Sequence, residues 1–397
     1  MYSAFYVATR RLPKTCGLGE QLRAREDSPM AKRIVLAGGG TAGHIEPALA
    51  VADAIGRIDP DIKCEFIGTA NGLESLLVPQ RGYRLRAIPK AVMPRTLAIS
   101  VLKFPVAIFR GIARSRKILK GADALIGFGG YVSASAYLGA KLAGVPIAIH
   151  EANAKPGWAN RLGRHLARLV AVNFEEVRSS WAGSVLTGMP IRSALSELAK
   201  LSNQERAKFR ELHAKSLGLD SNRPIVAIFG GSQGSLQMNQ AVSSYLASRL
   251  EKGDSKLQII HAVGLNNPLP EARSDYLPMA YFHDMAAIYG VADLLITRSG
   301  AVTCSELMTV GRFAILVPLS HGNGEQVDNA MALVEQGRAL MVNNEEFTGS
   351  WLQENLAKVA ATAAHALEPA TLHLQAADRI ASLVLENLLG YRTGQKE

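Results

Sequence analysis

Short β-rich runs alternate with helical segments through most of this chain, and that alternation constrains its fold more than any other feature. Runs such as IVLAG at 34–38 and PIVAIF at 224–229 have the length and composition of strands buried on both faces. Strands that alternate with helices form βαβ units, which build parallel sheets. The pattern restarts after the Gly- and Pro-containing stretch at 187–192. We therefore predict an α/β protein with two doubly wound, Rossmann-like parallel-sheet domains that face a cleft.

The same pattern predicts the domain boundaries. Residues 1–30 have no strand pattern and lack the apolar core of a secretory signal, so we expect a disordered extension or a start codon assigned too early. An N-terminal domain is expected over 31–190 and a C-terminal domain over 191–367. The remaining segment, 368–395, is expected to be helical and to pack back on the N-terminal domain.

Composition excludes several classes of protein. Hydrophobic residues make up 48% of the chain and charged residues 20%, which is typical of a globular protein with a large core. There is no run of about 18 apolar residues that could span a bilayer. The three cysteines, Cys16, Cys64 and Cys304, are far apart and fit a reducing cytosol. We expect no metal site and no cofactor.

The net charge of +10 comes from one segment. Residues 84–120 hold ten of the 44 basic residues and no acid, and the remaining 34 basic residues balance the 34 acidic ones. One basic segment indicates one anionic surface rather than a nucleic acid. Part of the apolar face of this segment could pack on the sheet. Contact with an anionic membrane leaflet, however, would explain why the segment contains no Asp or Glu. The residues expected at the membrane are Leu102, Lys103, Phe104, Phe109, Arg110, Arg114 and Lys117.

Each half of the chain begins with a buried strand, a glycine-rich turn and a helix start, RIVLAGGGTAGH at 33–44 and PIVAIFGGSQGS at 224–235. Glycines let the backbone approach a phosphate, and a helix N-terminus attracts its charge. The first turn also fits the dinucleotide-binding pattern G-x-G-x-x-G. An alternative hypothesis is therefore an NAD-dependent oxidoreductase, which would bind its cofactor with Gly38, Gly40, Gly43 and Glu65. His44 at the helix start can be a general base or a capping residue.

Three further stretches carry polar side chains after predicted strands. In RSGAVTCSE, Glu306 could bind a ribose diol behind a phosphate-binding helix start, or it could form a capping box with Thr303. Glu325 and Gln326 are adjacent and suit sugar hydroxyls, although a solvated helix start explains them equally well. Asn153 has the position of an Asx turn. The D-x-D pair at Asp59 and Asp61 is interpreted as a turn rather than a metal site.

Eight motifs in order make the chain resemble the bacterial MurG-type N-acetylglucosaminyltransferases of peptidoglycan synthesis. The resemblance covers about 31–390. The motifs are GGGTAGHIEPALA (38–50), GFGGYVSASA (127–136), HEANAKPGWAN (150–160), TGMPIR (187–192), GGSQGS (230–235), FHDMAAIY (282–289), RSGAVTCSELM (298–308) and HGNGEQVDNA (321–330).

The resemblance implies a GT-B fold and transfer of N-acetylglucosamine, with inversion, from UDP-N-acetylglucosamine to the C4 hydroxyl of a lipid-linked muramyl-pentapeptide. It implies His44 as the general base. Donor-binding residues would be Thr41, Ala42, Gly43, Asn153, Arg192, Ser232, Phe282, Ala301, Val302, Thr303, Cys304, Ser305, Glu306, Glu325 and Gln326. Acceptor-binding residues would be Gly40, Gly129, Gly130 and Tyr131.

Two positions depart from the family pattern. Ala42 replaces a glycine of the family's Thr-Gly-Gly turn, so we expect a turn of different shape if that position needs a positive φ. Glu325 replaces a glutamine, which leaves its role open. The lipid-linked acceptor implies a peripheral enzyme at the cytoplasmic face of the cell membrane, docked on the anionic inner leaflet. A transferase with a soluble acceptor is the alternative, and it leaves the basic segment without a role.

Overall fold

The computed structural model describes residues 32–90, 100–231, 233–252, 256–319, 324–363 and 367–391. Side chains of Ala42 and of residues 100–105 are not described. The predictions for residues 1–30 and for Ser232, and those for the side chains of Ala42, Leu102, Lys103 and Phe104, therefore lie outside the described part of the chain.

The N-terminal domain is built on a seven-stranded parallel sheet. The strand order is β3-β2-β1-β4-β5-β6-β7, so the first strand lies inside the sheet and the chain winds outward from it in both directions. The strands are β1 (Arg33–Ala37), β2 (Lys63–Gly68), β3 (Arg84–Ala87), β4 (Ala124–Gly127), β5 (Ile147–Glu151), β6 (Leu169–Val172) and β7 (Val185–Leu186).

Helices cover both faces of this sheet, which explains why its inner strands are apolar throughout. They are α1 (Ala42–Ile58), α2 (Glu74–Gln80), α3 (Ser100–Leu119), α4 (Gly130–Ala143), α5 (Trp158–Gly163) and α6 (Glu175–Ser180). In α3, Gly111 lies against Ser135 of α4, and Ser115 fits against Gly139, so small residues let the two helices approach closely.

The second domain repeats this architecture on a six-stranded parallel sheet with the order β10-β9-β8-β11-β12-β13. Its strands are β8 (Ile225–Phe229), β9 (Gln258–Ala262), β10 (Tyr276–Met279), β11 (Leu294–Thr297), β12 (Ala314–Leu316) and β13 (Ala339–Met341). Its helices are α7 (Ser193–Lys200), α8 (Asn203–Ser216), α9 (Leu236–Lys252), α10 (Met285–Val291), α11 (Ala301–Val310), α12 (Glu325–Val334) and α13 (Gly349–Ala363).

The chain then passes through a short 3₁₀ turn at Thr371–His373 and ends in α14 (Ala376–Leu389), which packs on α1 of the first domain. Ile380 and Val384 of α14 are buried in one cluster with Ile34 and Ile45. Burying each such side chain stabilises the folded state by about 1.5–3 kcal/mol. Arg57 of α1 also pairs with Asp378 at 2.6 Å.

The chain crosses between the domains twice, near Gly188 and near His373, and these two segments are in contact. The backbone N–H of Met189 donates to Nδ1 of His373 at 3.0 Å. Gly188, with φ of +78°, leaves room for Leu372 and His373, because a Cβ there would lie 3.0 Å from both residues. The two segments that connect the domains therefore pack against each other, and neither is an extended linker.

Two doubly wound parallel sheets are the architecture that the alternating pattern predicts. The strands β3, β6, β7 and β10 were not predicted. In the described part of the chain, no helix is both long enough and apolar enough to cross a membrane.

Candidate active site

The carboxyl ends of both sheets border one cleft of about 1090 Å³ between the domains. Ligands of doubly wound sheets bind at this edge. Thirteen of the sequence-predicted residues line the cleft, which are Gly40, Thr41, Gly43, His44, Asn153, Arg192, Phe282, Ala301, Val302, Thr303, Glu306, Glu325 and Gln326.

The first glycine turn places His44 at the cleft. Helix α1 starts at Ala42, after Thr41 in extended conformation with φ of −143°. The positive φ of the turn, +89°, falls on Gly40. Ala42 has helical backbone, so this position needs no positive φ and the condition for a turn of different shape is not met. Gly38 is required for a different reason, since a Cβ would lie 2.8 Å from the carbonyl oxygen of His44.

His44 is held by the turn that precedes it. Its Nδ1 lies 3.2 Å from the carbonyl oxygen of Gly39 and 3.2 Å from Oγ1 of Thr41. Because a carbonyl only accepts, Nδ1 carries the proton and Nε2 is the basic atom of the neutral ring. Burial lowers the pKa of His44, while the Gly39 carbonyl and the Glu74 carboxylate raise it by smaller amounts. The imidazole is thus neutral near pH 7 and can accept a proton.

Glu306 is one end of an ion-pair network that reaches the other domain through Arg192. Its side chain is only 2% exposed, and its Oε1 lies 2.6 Å from Nη1 of Arg192. Oε2 accepts from the hydroxyl of Tyr289 at 3.2 Å. Arg192 reaches Glu46 of α1 at 3.4 Å. Burial raises the pKa of Glu306, and Arg192 and Tyr289 lower it.

The capping-box interpretation of Glu306 is wrong. Helix α11 starts at Ala301 with Gly300 as its N-cap, so Thr303 is already inside the helix. A box would need Thr303 at the N-cap and its side chain bonded to the backbone N–H of Glu306. The carboxylate instead faces Arg192 and Tyr289.

The start of α11 presents backbone N–H groups to the cleft. Ala301, Val302 and Thr303 are its first three residues, whose N–H groups have no partner within the helix. Cys304 and Ser305 differ, because their side chains are 0% and 1% exposed. The N–H of Cys304 donates to the Gly300 carbonyl at 3.0 Å. The structure therefore does not place Cys304 and Ser305 on the cleft wall.

Helix α12 brings the predicted sugar-binding pair to the other side of the cleft. Gly324, with φ of +85°, precedes Glu325 as the N-cap. Oε1 of Gln326 accepts from the backbone N–H of Leu319 at 3.0 Å. The carbonyl of Gln326 accepts from Oγ of Ser299 at 2.7 Å. These bonds fix Gln326 between the ends of two strands.

Asn329 joins the two domains beside this pair, and sequence reasoning missed it. Its Oδ1 accepts from the N–H of Ala154 at 3.0 Å, and its Nδ2 donates to Oδ1 of Asn153 and the carbonyl of Ser299, each at 3.3 Å. The oxygen that would form the expected Asx turn, Oδ1 of Asn153, instead accepts from Asn329, and the backbone N–H of Asn153 donates to Glu151 at 2.9 Å. An Asn inside a helical segment, where its propensity is low, is the signal that the sequence offers.

The predicted acceptor residues surround the imidazole on the N-terminal side. Gly129 and Gly130 have φ of +91° and +76°. A Cβ on either would lie 3.4 Å from the His44 ring. Tyr131 follows them, and a Cβ on Gly40 would lie 3.4 Å from its ring. Gly129 and Gly130 therefore pack against His44, and Tyr131 packs against Gly40, which lines the cleft.

The nucleotide side of the cleft is built on aromatic packing. Phe282 is 2% exposed, and its ring packs edge-to-face on Phe229 at 5.8 Å, so the ring is held in the core rather than presented to a ligand. Arg298 was not predicted. Its Nη2 donates to Ser235 at 2.7 Å and its Nη1 to Asn344 at 2.7 Å, which ties the second glycine-rich turn to the ends of the neighbouring strands.

The oxidoreductase interpretation fails on Glu65. This residue pairs with Val35 in the sheet register, well before the glycine turn. Its carboxylate is paired with Arg33 at 3.1 Å and Arg84 at 3.5 Å. An acid that binds ribose in that class lies at the carboxyl end of the strand.

The described residues also support the turn interpretation of the D-x-D pair. Asp59 and Asp61 lie between α1 and β2, where Oδ1 of Asp59 accepts from the N–H of Asp61 at 3.0 Å. Within the described ranges, no group of three or more His, Cys, Asp or Glu side chains could hold a metal ion.

Helix α3 has one packed face and one exposed face. Gly111, Ser115, Ile118 and Leu119 are buried against the domain. Phe109 is 76% exposed and Val106 52%. The side chains of Arg110, Arg114 and Lys117 are exposed on the same outer surface.

Two facing Rossmann-like domains, with glycine-rich turns at the cleft between them, form the GT-B fold that is typical of many glycosyltransferases. The comparisons agree. Residues 34–172 match the glycosyltransferase family 28 N-terminal domain, and residues 225–384 match its C-terminal domain. The chain belongs to family 28, in its MurG-type branch.

Named relatives cover most of the chain. A Corynebacterium efficiens protein named UDP-N-acetylglucosamine–N-acetylmuramyl-(pentapeptide) pyrophosphoryl-undecaprenol N-acetylglucosamine transferase is 43% identical, covering 87% of this chain and 91% of that protein. A Streptomyces coelicolor protein of the same name is 42% identical, with 83% and 89% covered.

Solved structures show the same fold. The crystal structure of Acinetobacter baumannii MurG has a TM-score of 0.64 at 24% identity, covering 89% of this chain and 99% of that one. A UDP-GlcNAc 2-epimerase from Neisseria meningitidis has a TM-score of 0.61 at 13% identity, covering 90% and 100%. At these identities the likeness concerns the fold alone.

Proposed function

We propose that this enzyme transfers N-acetylglucosamine from UDP-N-acetylglucosamine to the C4 hydroxyl of a muramyl-pentapeptide carried on undecaprenyl pyrophosphate. The observation that carries the proposal is the opposition of His44 and Glu306 across one cleft, in a chain whose relatives are named as N-acetylglucosamine transferases for this donor and acceptor. The N-terminal side supplies a base and the C-terminal side supplies the elements of a nucleotide site.

In this proposal the C-terminal domain holds the donor. The N–H groups at the start of α11 and the second glycine-rich turn bind the diphosphate, with Arg192 and Ser232 beside it. Glu306 accepts hydrogen bonds from the ribose diol, and the backbone at Phe282 recognises the uracil. Gln326 and Glu325 bind the sugar, and Thr41, Ala42, Gly43 and Asn153 close over it from the other domain.

The chemistry follows from this arrangement. Nε2 of His44 takes the proton of the acceptor C4 hydroxyl, and the oxygen attacks the anomeric carbon from the side opposite UDP. The new C–O bond forms while the bond to the phosphate oxygen breaks, and UDP leaves with the electron pair. Helix N-termini stabilise the charge that develops on the diphosphate. General-base assistance of this kind contributes about 10²–10⁴-fold.

The acceptor is held on the N-terminal domain beside Gly40, Gly129, Gly130 and Tyr131. The exposed face of α3 docks this domain on the anionic cytoplasmic leaflet, as a peripheral membrane enzyme. Supporting this, Phe109 is 76% exposed beside three exposed cations. Each Lys or Arg near an anionic surface adds about 1 kcal/mol of attraction, enough in sum for reversible binding.

The test is transfer of labelled N-acetylglucosamine to a lipid-linked muramyl-pentapeptide. We expect transfer from UDP-N-acetylglucosamine and little from UDP-glucose or UDP-galactose. A delipidated acceptor distinguishes the alternative, because equal transfer to a soluble muramyl-peptide would favour a soluble substrate. The absence of transfer to either acceptor would contradict the proposal.

A further inference from the structure

Glu74 is a fully buried carboxylate directly beneath the first glycine turn, at 0% exposure. Its Oε1 accepts from the N–H of Thr69 at 2.8 Å and from the Thr69 hydroxyl at 2.6 Å. Its Oε2 accepts from the N–H of Gly40 at 3.2 Å. All three donors are neutral, so the carboxylate keeps an uncompensated negative charge inside the domain.

Three glycines make the space that this side chain occupies. A Cβ on Gly72 would lie 2.2 Å from a Glu74 oxygen, and one on Gly39 would lie 2.8 Å from the other. A Cβ on Gly68 would lie 2.5 Å from the Glu74 Cγ. Burying a charge is costly unless the site is built for it. Here three glycines leave space for the carboxylate and three donors bind its oxygens, so the site is built to hold this charge.

The carboxylate and the imidazole of His44 hold the same turn from opposite sides. Glu74 binds the N–H of Gly40, and Nδ1 of His44 donates to the carbonyl of the preceding residue, Gly39, at 3.2 Å. One peptide unit therefore joins the two groups. Moving the carboxylate would move the carbonyl that orients the ring.

Glu74 is also the charge that acts on His44. Burial lowers the pKa of His44, and Glu74 raises it. The other groups packed against the ring, Thr41 and the backbone of Gly129 and Gly130, carry no charge. Tyr131, the remaining titratable neighbour of the turn, stays neutral because burial raises its pKa.

Glu74 itself remains ionised. Burial raises its pKa, but the hydrogen bonds from Thr69, from its own N–H and from Gly40 together hold it below the usual value. It can therefore act as a fixed charge while His44 changes its protonation state.

We propose that Glu74 is a positioning residue for the transfer reaction, which orients His44 through the Gly39–Gly40 peptide and stabilises the imidazolium formed when His44 takes the acceptor proton. The inference rests on the proposed function, in which Nε2 of His44 is the base. The proton passes from the C4 hydroxyl to Nε2, and Glu74 neither gains nor loses one.

The first test needs no substrate. Histidine ring signals of labelled protein are titrated by NMR, with His44 assigned by its loss in His44→Gln. In Glu74→Gln we expect the pKa of His44 to fall by at least about half a unit. Glu65→Gln, which removes another carboxylate of the same domain, should leave it unchanged. An unchanged His44 titration in Glu74→Gln overturns the proposal, whether or not the enzyme transfers sugar.

The second test is kinetic. Glu74→Gln should lower kcat about tenfold and move the acid limb of kcat/KM to lower pH, while Glu74→Asp, which keeps the charge, should leave the limb in place. If Glu74→Gln lowers kcat but leaves the acid limb of kcat/KM at the same pH, the role of Glu74 is structural and the proposal is overturned. No transfer by the unaltered enzyme would instead contradict the proposed function.

A third measurement covers the case in which Glu74→Gln does not fold. The carboxyl carbon of Glu74 in the unaltered protein, assigned by comparison with Glu74→Asp, is followed by NMR through the same pH range. We expect it to stay ionised while His44 titrates. Protonation of Glu74 within that range overturns the proposal.

Discussion

Nη1 of Arg192 lies 2.6 Å from Oε1 of Glu306, although 114 residues separate them. Arg192 also reaches Glu46 in the other domain at 3.4 Å. The carboxylate expected to bind ribose is therefore also the partner of a cation. Burial alone would lower the pKa of Arg192, but the attraction of the Glu306 and Glu46 carboxylates outweighs that effect and raises it. The guanidinium is therefore permanently charged. The donor must share Glu306 with Arg192 or displace it.

Glu306→Gln should weaken UDP-N-acetylglucosamine binding by about 1–3 kcal/mol, the range for hydrogen bonds to a charged group. The neutral amide also leaves Arg192 with a weaker partner. Calorimetric titration with the donor measures the loss, and circular dichroism checks the fold. The exposed Glu346→Gln is the matched control and should bind normally. Unchanged affinity in Glu306→Gln would remove this residue from the donor site.

His44→Ala should retain donor binding and lose most of its turnover. The base must be neutral, and burial holds its pKa below the usual value of about 6.5. For the unaltered enzyme, kcat/KM should therefore stay level down to below pH 6.5 and fall as the pH drops through that pKa. Rate profiles over pH 5–9 test both statements. Near-normal kcat in His44→Ala would show that another group is the base.

Charge reversal on the exposed face of α3 should abolish membrane binding. Arg110, Arg114 and Lys117 changed together to Glu would repel an anionic surface. Co-sedimentation with anionic and neutral vesicles, at low and high salt, measures the effect. The matched control reverses three exposed lysines of the other domain, Lys208, Lys215 and Lys358. Binding that ignores lipid charge and salt, or that survives the α3 reversal, contradicts the docking surface.

Acid should destabilise the protein through three buried histidines. Burial lowers the pKa of His150, His261 and His373 to about 4 each. An unfolded histidine titrates near 6.5, so the unfolded state binds more protons between pH 6.5 and 4. Stability is fully present above pH 6.5 and is lost as the pH falls through that window, by about 2 kcal/mol per histidine at pH 5.

Thermal unfolding from pH 7.5 to 4.5 measures this loss. The variant His373→Gln keeps an acceptor for the Met189 N–H and cannot be protonated. Its Tm should therefore fall less on acidification than that of the unaltered chain. Parallel Tm curves for the two proteins would show that His373 does not contribute.

The sequence pattern was informative where a residue's role depends on its own segment. Buried strands and the glycine turns follow from spacing along the chain, whereas spacing left Glu306 open between a capping box and a ribose site, and the resemblance implied the latter. The edge strands β3 and β7 escaped because they are only four and two residues long, too short for alternation or an apolar run to be distinctive. Glu65 was misplaced because a count of residues does not say where in a strand a side chain falls.

Partners across the cleft could not be predicted in the same way. Arg192 and Glu306, or Asn329 and Asn153, meet because two independently wound sheets face each other, and their separation in sequence carries no period. Glu74 was likewise missed, since its three donors come from two turns and its space comes from three glycines in different segments. Such sites depend on tertiary packing, which overrides local preference.

The return of α14 to the first domain has a consequence for biosynthesis. Domains of a nascent chain generally fold as units, starting from the N-terminus. Here the apolar surface around Ile34 and Ile45 is completed by Ile380 and Val384, which are translated long after them. This apolar surface of the first domain therefore stays exposed to solvent while about 200 further residues are translated. A transcript truncated before α14 would yield a chain whose earliest-made half is a substrate for chaperones and proteases.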